Sequence, residues 1–338
     1  MTPRELVQQT LEFKNTSGRA PHDLWLLPCA VDDYPDMLKK IEEDFPSDFV
    51  RVPAALKVGT KTSGDPNRIG EFTDEFGCTF QNIQNGIIGE VKVPLVQDDD
   101  WEDAAKVHIP EEWLTFDIEQ VNAFCRNTDR YRIAGVCPRP FERLQFLRGT
   151  ENLYIDLMDP PKKMLEFIEK LHDFYCRLLT KWAETEVDAL NFMDDWGTQR
   201  SLLINPKLWV KYFKPMYKDY IDIAKRKGKK TFMHSDGHTL EIYPHLIELG
   251  LDAFNSQIFC MGVENLKQFK GQITFWGEID RQHILPYATK QEVADAVKLV
   301  YENLWENGGC IAECEFGAGA KPENVYTVFE TWDQLTGK

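Results

Sequence analysis

KKTFMHSDGHTLEIYPHLIELG, residues 229–250, is the stretch whose reading decides the fold. Thr231, Phe232 and Met233 form a short β-prone run. It leads straight into His234, Asp236 and His238, three ionisable side chains within five residues. A helical spacing follows, and Gly250 stands where a C-terminal cap glycine belongs. The unit therefore reads as strand, polar tip, helix.

The same unit occurs five times in the C-terminal half. The β-prone runs are Val187–Met193, Lys230–Met233, Leu251–Phe254, Ile273–Trp276 and Gly309–Ala312. Each ends in polar residues: Asp194 and Asp195; His234 and Asp236; Asn255 and Gln257; Glu278 and Asp280; Glu313, Cys314 and Glu315. Helix signals separate them. Asn205 and Pro206 offer a cap and a first-turn proline. Thr289 and Glu292 form a capping box, and Pro322 opens a last helix carrying Val325, Val328, Phe329 and Trp332 on one face. Strands alternating with helices imply parallel pairing and right-handed crossovers. In a chain of 338 residues, five such units predict a single-domain (β/α)8 TIM barrel over residues 1–338. An open doubly wound sheet is the rival, but no glycine-rich phosphate loop is found. The N-terminal half is less regular and reads as an extension. Residues 71–95 look like an inserted hairpin turning at Asn85 and Gly86. A long helix is expected from Pro160 to about Thr185.

Composition excludes several functions. A net charge of −16 repels nucleic acid and anionic membranes, so neither is an expected partner. No apolar run approaches membrane-spanning length. The opening MTPRELVQQTLEFKN has no secretory character, so a cytoplasmic location is expected. The eight cysteines are then expected as thiols, and no C-x-x-C pair marks a zinc ribbon.

Barrels of this kind build their sites at the C-terminal ends of the strands. His234 and Asp236, two apart on an extended chain, point to the same side and suit two ligands of one metal ion, with Cys314 or Glu315 as a third. The plainer reading makes Asp236 a cap for the next helix. Asp194 and Asp195 offer a base or a carboxylate pair, unless one of them only caps a loop. Asn255 and Gln257 could orient a substrate or satisfy loop backbone. Glu278 could act on substrate or pair locally with Arg281. His238 reads as a first-turn helix residue.

These tips resemble the uroporphyrinogen decarboxylase superfamily, which includes corrinoid-dependent methyltransferases. The resemblance rests on Arg19–Pro21 with Leu24 and Trp25, Asp74–Cys78, Phe146–Gly149, Asp194–Gln199, His234–Gly237, Gly277–Arg281 and Cys314–Gly317. It implies a barrel with its site at the C-terminal mouth. Decarboxylases of the family carry an arginine-bearing stretch that holds substrate carboxylates. Here Leu26–Tyr34 stands in that region without an arginine, which argues against a tetrapyrrole substrate. The methyltransferase branch uses zinc held by His-x-Cys and a later Cys. His234 matches the histidine, Asp236 replaces the first cysteine, and Cys314 or Glu315 falls near the second. Replacing a thiolate by a carboxylate makes a harder Lewis acid, suited to an oxygen rather than a sulfur ligand.

The resemblance thus implies a zinc-dependent methyltransferase with metal ligands His234, Asp236 and Cys314, catalytic Asp194, Asp195 and Glu278, and substrate contacts from Trp25, Asn255, Gln257 and Glu315. The methyl group would move between a small methoxylated compound and the cobalt of a corrinoid on a separate protein. Asp236, Gly237 and His238 begin the corrinoid-binding pattern Asp-x-His-x-x-Gly, but Glu241 occupies the glycine position. A homodimer is compatible with this reading. A decarboxylase and a non-catalytic small-molecule-binding barrel are the alternatives.

Overall fold

The computed structural model describes residues 1–16 and 18–337. Eleven strands are found among them: β1 (His22–Leu26), β2 (Phe49–Val52), β3 (Gly70–Thr73), β4 (Thr79–Asn82), β5 (Glu90–Val91), β6 (Tyr131–Ala134), β7 (Ala189–Met193), β8 (Lys230–Ser235), β9 (Ala253–Ser256), β10 (Thr274–Trp276) and β11 (Cys310–Phe316). Eight of them form one sheet in the order β1-β11-β10-β9-β8-β7-β6-β2, and every pairing is parallel. The seam between β1 and β2 is bridged at its N-terminal end, where the Asp48 amide donates to the His22 carbonyl at 2.9 Å. Arg19 holds the Asp48 carboxylate through two bonds of 2.7 and 2.9 Å. The result is a nearly closed (β/α)8 barrel, as predicted.

Burial divides into two layers. Phe49, Tyr131, Ile133, Ala189, Phe232, Ala253, Trp276 and Ile311 fill the barrel interior, and Val7 and Leu11 of the N-terminal helix Pro3–Leu11 pack among them. That helix, started by a Thr2–Glu5 capping box, plugs the barrel. The larger layer lies between strands and helices. The long helix runs Lys162–Ala183, Asn205 caps the next through the Lys207 amide at 2.9 Å, and the Thr289 capping box starts Lys290–Leu304. Gly250 ends Tyr243–Leu249 at φ 78°, a left-handed conformation that costs glycine little.

Two expectations need correction. The strands run further than their apolar residues: β8 includes His234 and Ser235, β9 includes Asn255, and β11 continues through Glu313, Cys314 and Glu315. Of these, His234, Asn255, Glu313 and Glu315 face the mouth of the barrel above its apolar floor, while Ser235 and Cys314 turn outward. The inserted hairpin is a three-stranded antiparallel sheet, β3-β4-β5. Asn85 and Gly86 turn between β4 and β5 as expected, while Asp74–Cys78 makes a tighter turn between β3 and β4.

A buried ion pair, beside the packing of Phe80 on Phe146, holds this small sheet to the barrel. Asp74 Oδ1 accepts from the amides of Phe76 and Cys78 at 3.0 and 2.8 Å, closing the turn. Its other oxygen accepts from Arg143 Nη1 at 2.5 Å, with both side chains buried. Removing one partner of such a pair leaves an uncompensated buried charge. Asp74→Ala is therefore expected to lower stability by about 3–5 kcal/mol, measured by denaturant unfolding of the purified protein.

Candidate active site

Parallel pairing sets the register at the mouth. Met193 of β7 lies opposite His234 of β8, and His234 lies opposite Asn255 of β9. Side chains alternate, so Asp195 and Asp236, each two residues further on, turn inward beside His234. The loops carrying them lock together at two glycines. The Gly197 amide donates to the Asp236 carbonyl at 3.1 Å. A Cβ on Gly237 would sit 2.0 Å from the Gly197 carbonyl oxygen, so the backbones can approach only without side chains there. The Asp236 amide donates to Asp195 Oδ1 at 2.9 Å.

His234 Nε2 lies 3.5 Å from Asp195 Oδ1 and 3.5 Å from Asp236 Oδ1. One ligand-type atom from each residue falls within 4.8 Å of the others. Asn255 orients the ring: its Nδ2 donates to the Trp276 carbonyl at 2.5 Å and to Glu313 Oε2 at 3.1 Å. Its Oδ1 therefore faces His234 Nδ1 at 2.6 Å and accepts the proton there. Nε2 is left aimed at the two aspartates. Burial alone would lower the His234 pKa, but the Asp195 hydrogen bond and the charges of Asp236 and Asp195 outweigh it and push it up to about 9.

A divalent cation fits this set. Asp236 Oδ1 is buried without a hydrogen-bond partner, 3.5 Å from Nε2. A buried carboxylate oxygen without a partner is costly unless something else compensates it. Its sister atom Oδ2 is taken by Arg281 Nη2 at 2.5 Å. Asp195, His234 and Asp236 supply one nitrogen and two oxygen donors and leave a position open for a further ligand.

Cys314 does not join them, which corrects the expected third ligand. Along β11 the inward positions are Ile311, Glu313 and Glu315, while Cys310, Ala312, Cys314 and Phe316 pack in the outer layer. Cys314 is fully buried there, and burial followed by the charges of Glu313, Glu278 and Glu315 pushes its thiol well up. Asp194 is corrected for the same reason. It points outward, accepting from Tyr217 Oη at 2.5 Å and from the Glu142 amide at 2.8 Å, and so anchors the helix Pro140–Arg148.

The other predicted residues divide by role. Trp25 and Glu315 line a cavity of about 500 Å³ with His234, Asp236 and Arg281. The Trp25 ring stands 5.3 Å from that of His234 and 5.1 Å from that of Trp276. Asn255 acts on His234. Gln257 accepts from Gln199 Nε2 at 2.7 Å and from the Gly237 amide at 2.9 Å, so it supports the loop. Glu278 is nearly buried, pushed up to about 8 by burial, and lies behind Arg281 against a smaller cavity of about 270 Å³.

The local Glu278–Arg281 pair offered by the sequence is present, while the wider reach of Arg281 and the roles of Arg51, Arg139 and Glu142 escaped the sequence reading. Arg281 Nη1 lies 3.1 Å from both Glu278 and Glu315, so it ties the two together while its Nη2 holds Asp236. Arg51 and Arg139, from β2 and the loop after β6, line the same cavity as His234. Glu142 lines a second cavity of about 480 Å³ beneath β3 and β4, which shares Gly135–Cys137 and Arg139 with the first. Burial and the charge of Asp195 push Glu142 up to about 7. The signal for Arg281 was its spacing from Glu278; the strand carrying Arg51 was not recognised.

Two measurements separate these roles. His234→Ala is expected to lose the one equivalent of divalent metal bound by Asp195, His234 and Asp236, by elemental analysis, with the fold retained by circular dichroism. Asn255→Ala should weaken metal binding by about 10–100-fold, whereas Cys314→Ala should leave metal content unchanged.

Comparisons with known proteins agree with the barrel. No curated protein matches. Among solved structures, a methyltransferase from Methanosarcina mazei superimposes with a TM-score of 0.67 at 13% identity, over 99% of each chain. A B12-independent methionine synthase from Shewanella sp. W3-18-1 gives a TM-score of 0.43 at 12% identity, over 64% of this chain and 65% of the other. The family model described as uroporphyrinogen decarboxylase (URO-D) matches residues 72–335. That match spans most of the sequence, with His234, Asp236, Arg281 and Glu315 inside it, and the chain belongs to the uroporphyrinogen decarboxylase family.

Proposed function

We propose that this chain is a metal-dependent methyltransferase that takes a methyl group from a small O-methyl compound and passes it to the cobalt of a corrinoid on a separate protein. The observation that carries the reading is the thiolate-free trio Asp195, His234 and Asp236 at the barrel mouth, with an unpartnered oxygen on Asp236. A zinc-class ion held there, made a harder Lewis acid by two carboxylates in place of thiolates, would polarise an ether or alcohol oxygen. The full-length likeness to a methyltransferase from Methanosarcina mazei supports the fold for such a role. So does the family, since barrels of this kind carry their chemistry where these residues stand.

The remaining residues prepare the site. Asn255 keeps the Nε2 side of His234 free. Arg281 offsets the charge of Asp236, Glu278 and Glu315. Trp25 and Trp276 set aromatic rings along the cavity beside His234. Glu315 faces the cavity with its pKa raised by burial and is placed to hand a proton to a departing oxygen. Among the described residues Arg51 donates to the Asn191 side-chain oxygen at 3.2 Å and lies over the Trp25 and Trp276 rings, and Arg139 has Glu142 at 3.9 Å. Two lightly paired guanidiniums facing one cavity suit a substrate with an anionic group.

The test mixes zinc-loaded protein with cob(I)alamin and either para-methoxybenzoate or its neutral amide, and follows corrinoid absorbance. Methylation of the corrinoid is expected with the acid, and Arg51→Gln should raise its KM by about tenfold with a much smaller effect on the amide. Carbon dioxide release from the acid without methyl transfer would favour a decarboxylase. Absence of both activities across methoxylated aromatics, methanol, methylamines and methylthiols would leave a binding barrel.

A further inference from the structure

A second group of ligand-type side chains lies on the outer face of the barrel. His172 and Cys176 are one turn apart on the helix Lys162–Ala183 and share a face. The adjacent helix Lys214–Arg226 brings Asp219 against them. His172 Nε2 lies 3.0 Å from Asp219 Oδ2 and 3.6 Å from Cys176 Sγ. The three ligand atoms fall within 4.8 Å of one another.

The nitrogen–sulfur separation matches an edge of a metal polyhedron. Tetrahedral zinc with Zn–N of about 2.0–2.1 Å and Zn–S of about 2.3 Å sets nitrogen and sulfur about 3.6 Å apart. The hydroxyl of Tyr220 stands 3.3 Å from His172 Nδ1, an outer partner that can accept that nitrogen's proton and leave Nε2 for an ion. Asp173 and Asp219 add negative charge beside the sulfur. The Asp219 side chain is 56% exposed and that of His172 23%, so an ion can enter and keep water in a fourth position. Cys176 Sγ lies 3.6 Å from His172 Nε2 and 3.8 Å from Nδ1, so the thiol stands beside the ring on the side that Asp219 also approaches.

We infer that His172, Cys176 and Asp219 form a second divalent-metal site, for a borderline-soft ion of zinc's class, that cross-links two outer helices of the barrel. Binding replaces the Cys176 thiol proton, which leaves to solvent, by a sulfur–metal bond. The site is independent of the proposed methyl transfer.

Cobalt(II) reads it directly. The mouth trio contains no sulfur, so a near-ultraviolet thiolate-to-cobalt absorption band that depends on Cys176 reports on the outer site. Full-length, reduced, metal-free protein titrated with cobalt(II) is expected to develop this band to saturation. His234→Ala should keep it, Cys176→Ser should lose it, and Asp219→Asn, altered only at an exposed position, should need more cobalt to reach it. Zinc should also raise the melting temperature of His234→Ala but not of a His234→Ala, Cys176→Ser double variant. No band in the wild type, or a band that survives Cys176→Ser, overturns the inference.

Discussion

Every second side chain of a parallel barrel strand turns inward, and this alternation governs the whole mouth. It aligns Asp195, His234, Asp236, Asn255, Glu313 and Glu315 around one opening. It sends their neighbours Asp194, Ser235, Ser256 and Cys314 outward, where they are buried. A one-residue shift would exchange the two sets. The chemistry of the site therefore follows from backbone parity, because parity leaves the only nearby thiol of β11 on the wrong side and selects a nitrogen and oxygen donor set.

Concentrating carboxylates in a buried mouth is expensive, and the structure shows how the cost is met. Arg281 reaches Asp236, Glu278 and Glu315 at once. Asn255 links His234 to Glu313 and to the β10 backbone. Burial raises Glu278, Glu313 and Glu315 toward their neutral forms. Asp195 is held low despite burial by its hydrogen bond and charge interaction with His234. Asp236 Oδ1, like Glu313 Oε1 and Glu142 Oε2, is buried without a hydrogen-bond partner, and of these Asp236 Oδ1 is the one 3.5 Å from His234 Nε2. That imbalance sits where a cation would complete the set.

The barrel was legible because its strand tips and helix starts carry local signals. Asn205, Thr289, Pro322 and Gly250 act as expected at helix ends, since caps and glycine conformations depend on near neighbours. His234 and Asp236 were legible as a pair because their two-residue spacing fixes their relative direction. Cys314 was misplaced by treating a strand tip as a loop: once β11 continues through Phe316, the parity of Cys314 is outward. Arg51 was missed because β2 is four residues long and has no strong periodic pattern.

The sequence by itself determined the repeating order of strand and helix, the capping of the helices and the gathering of polar residues at strand ends, because each depends on interactions within a few residues. Only the tertiary structure decided which of those polar residues meet. Asp195 joins His234 through pairing of β7 with β8, Arg281 reaches across to Asp236, and Asn255 turns the histidine ring, all through register between strands distant in the chain. Register is set by packing of the whole barrel, and no local spacing encodes it.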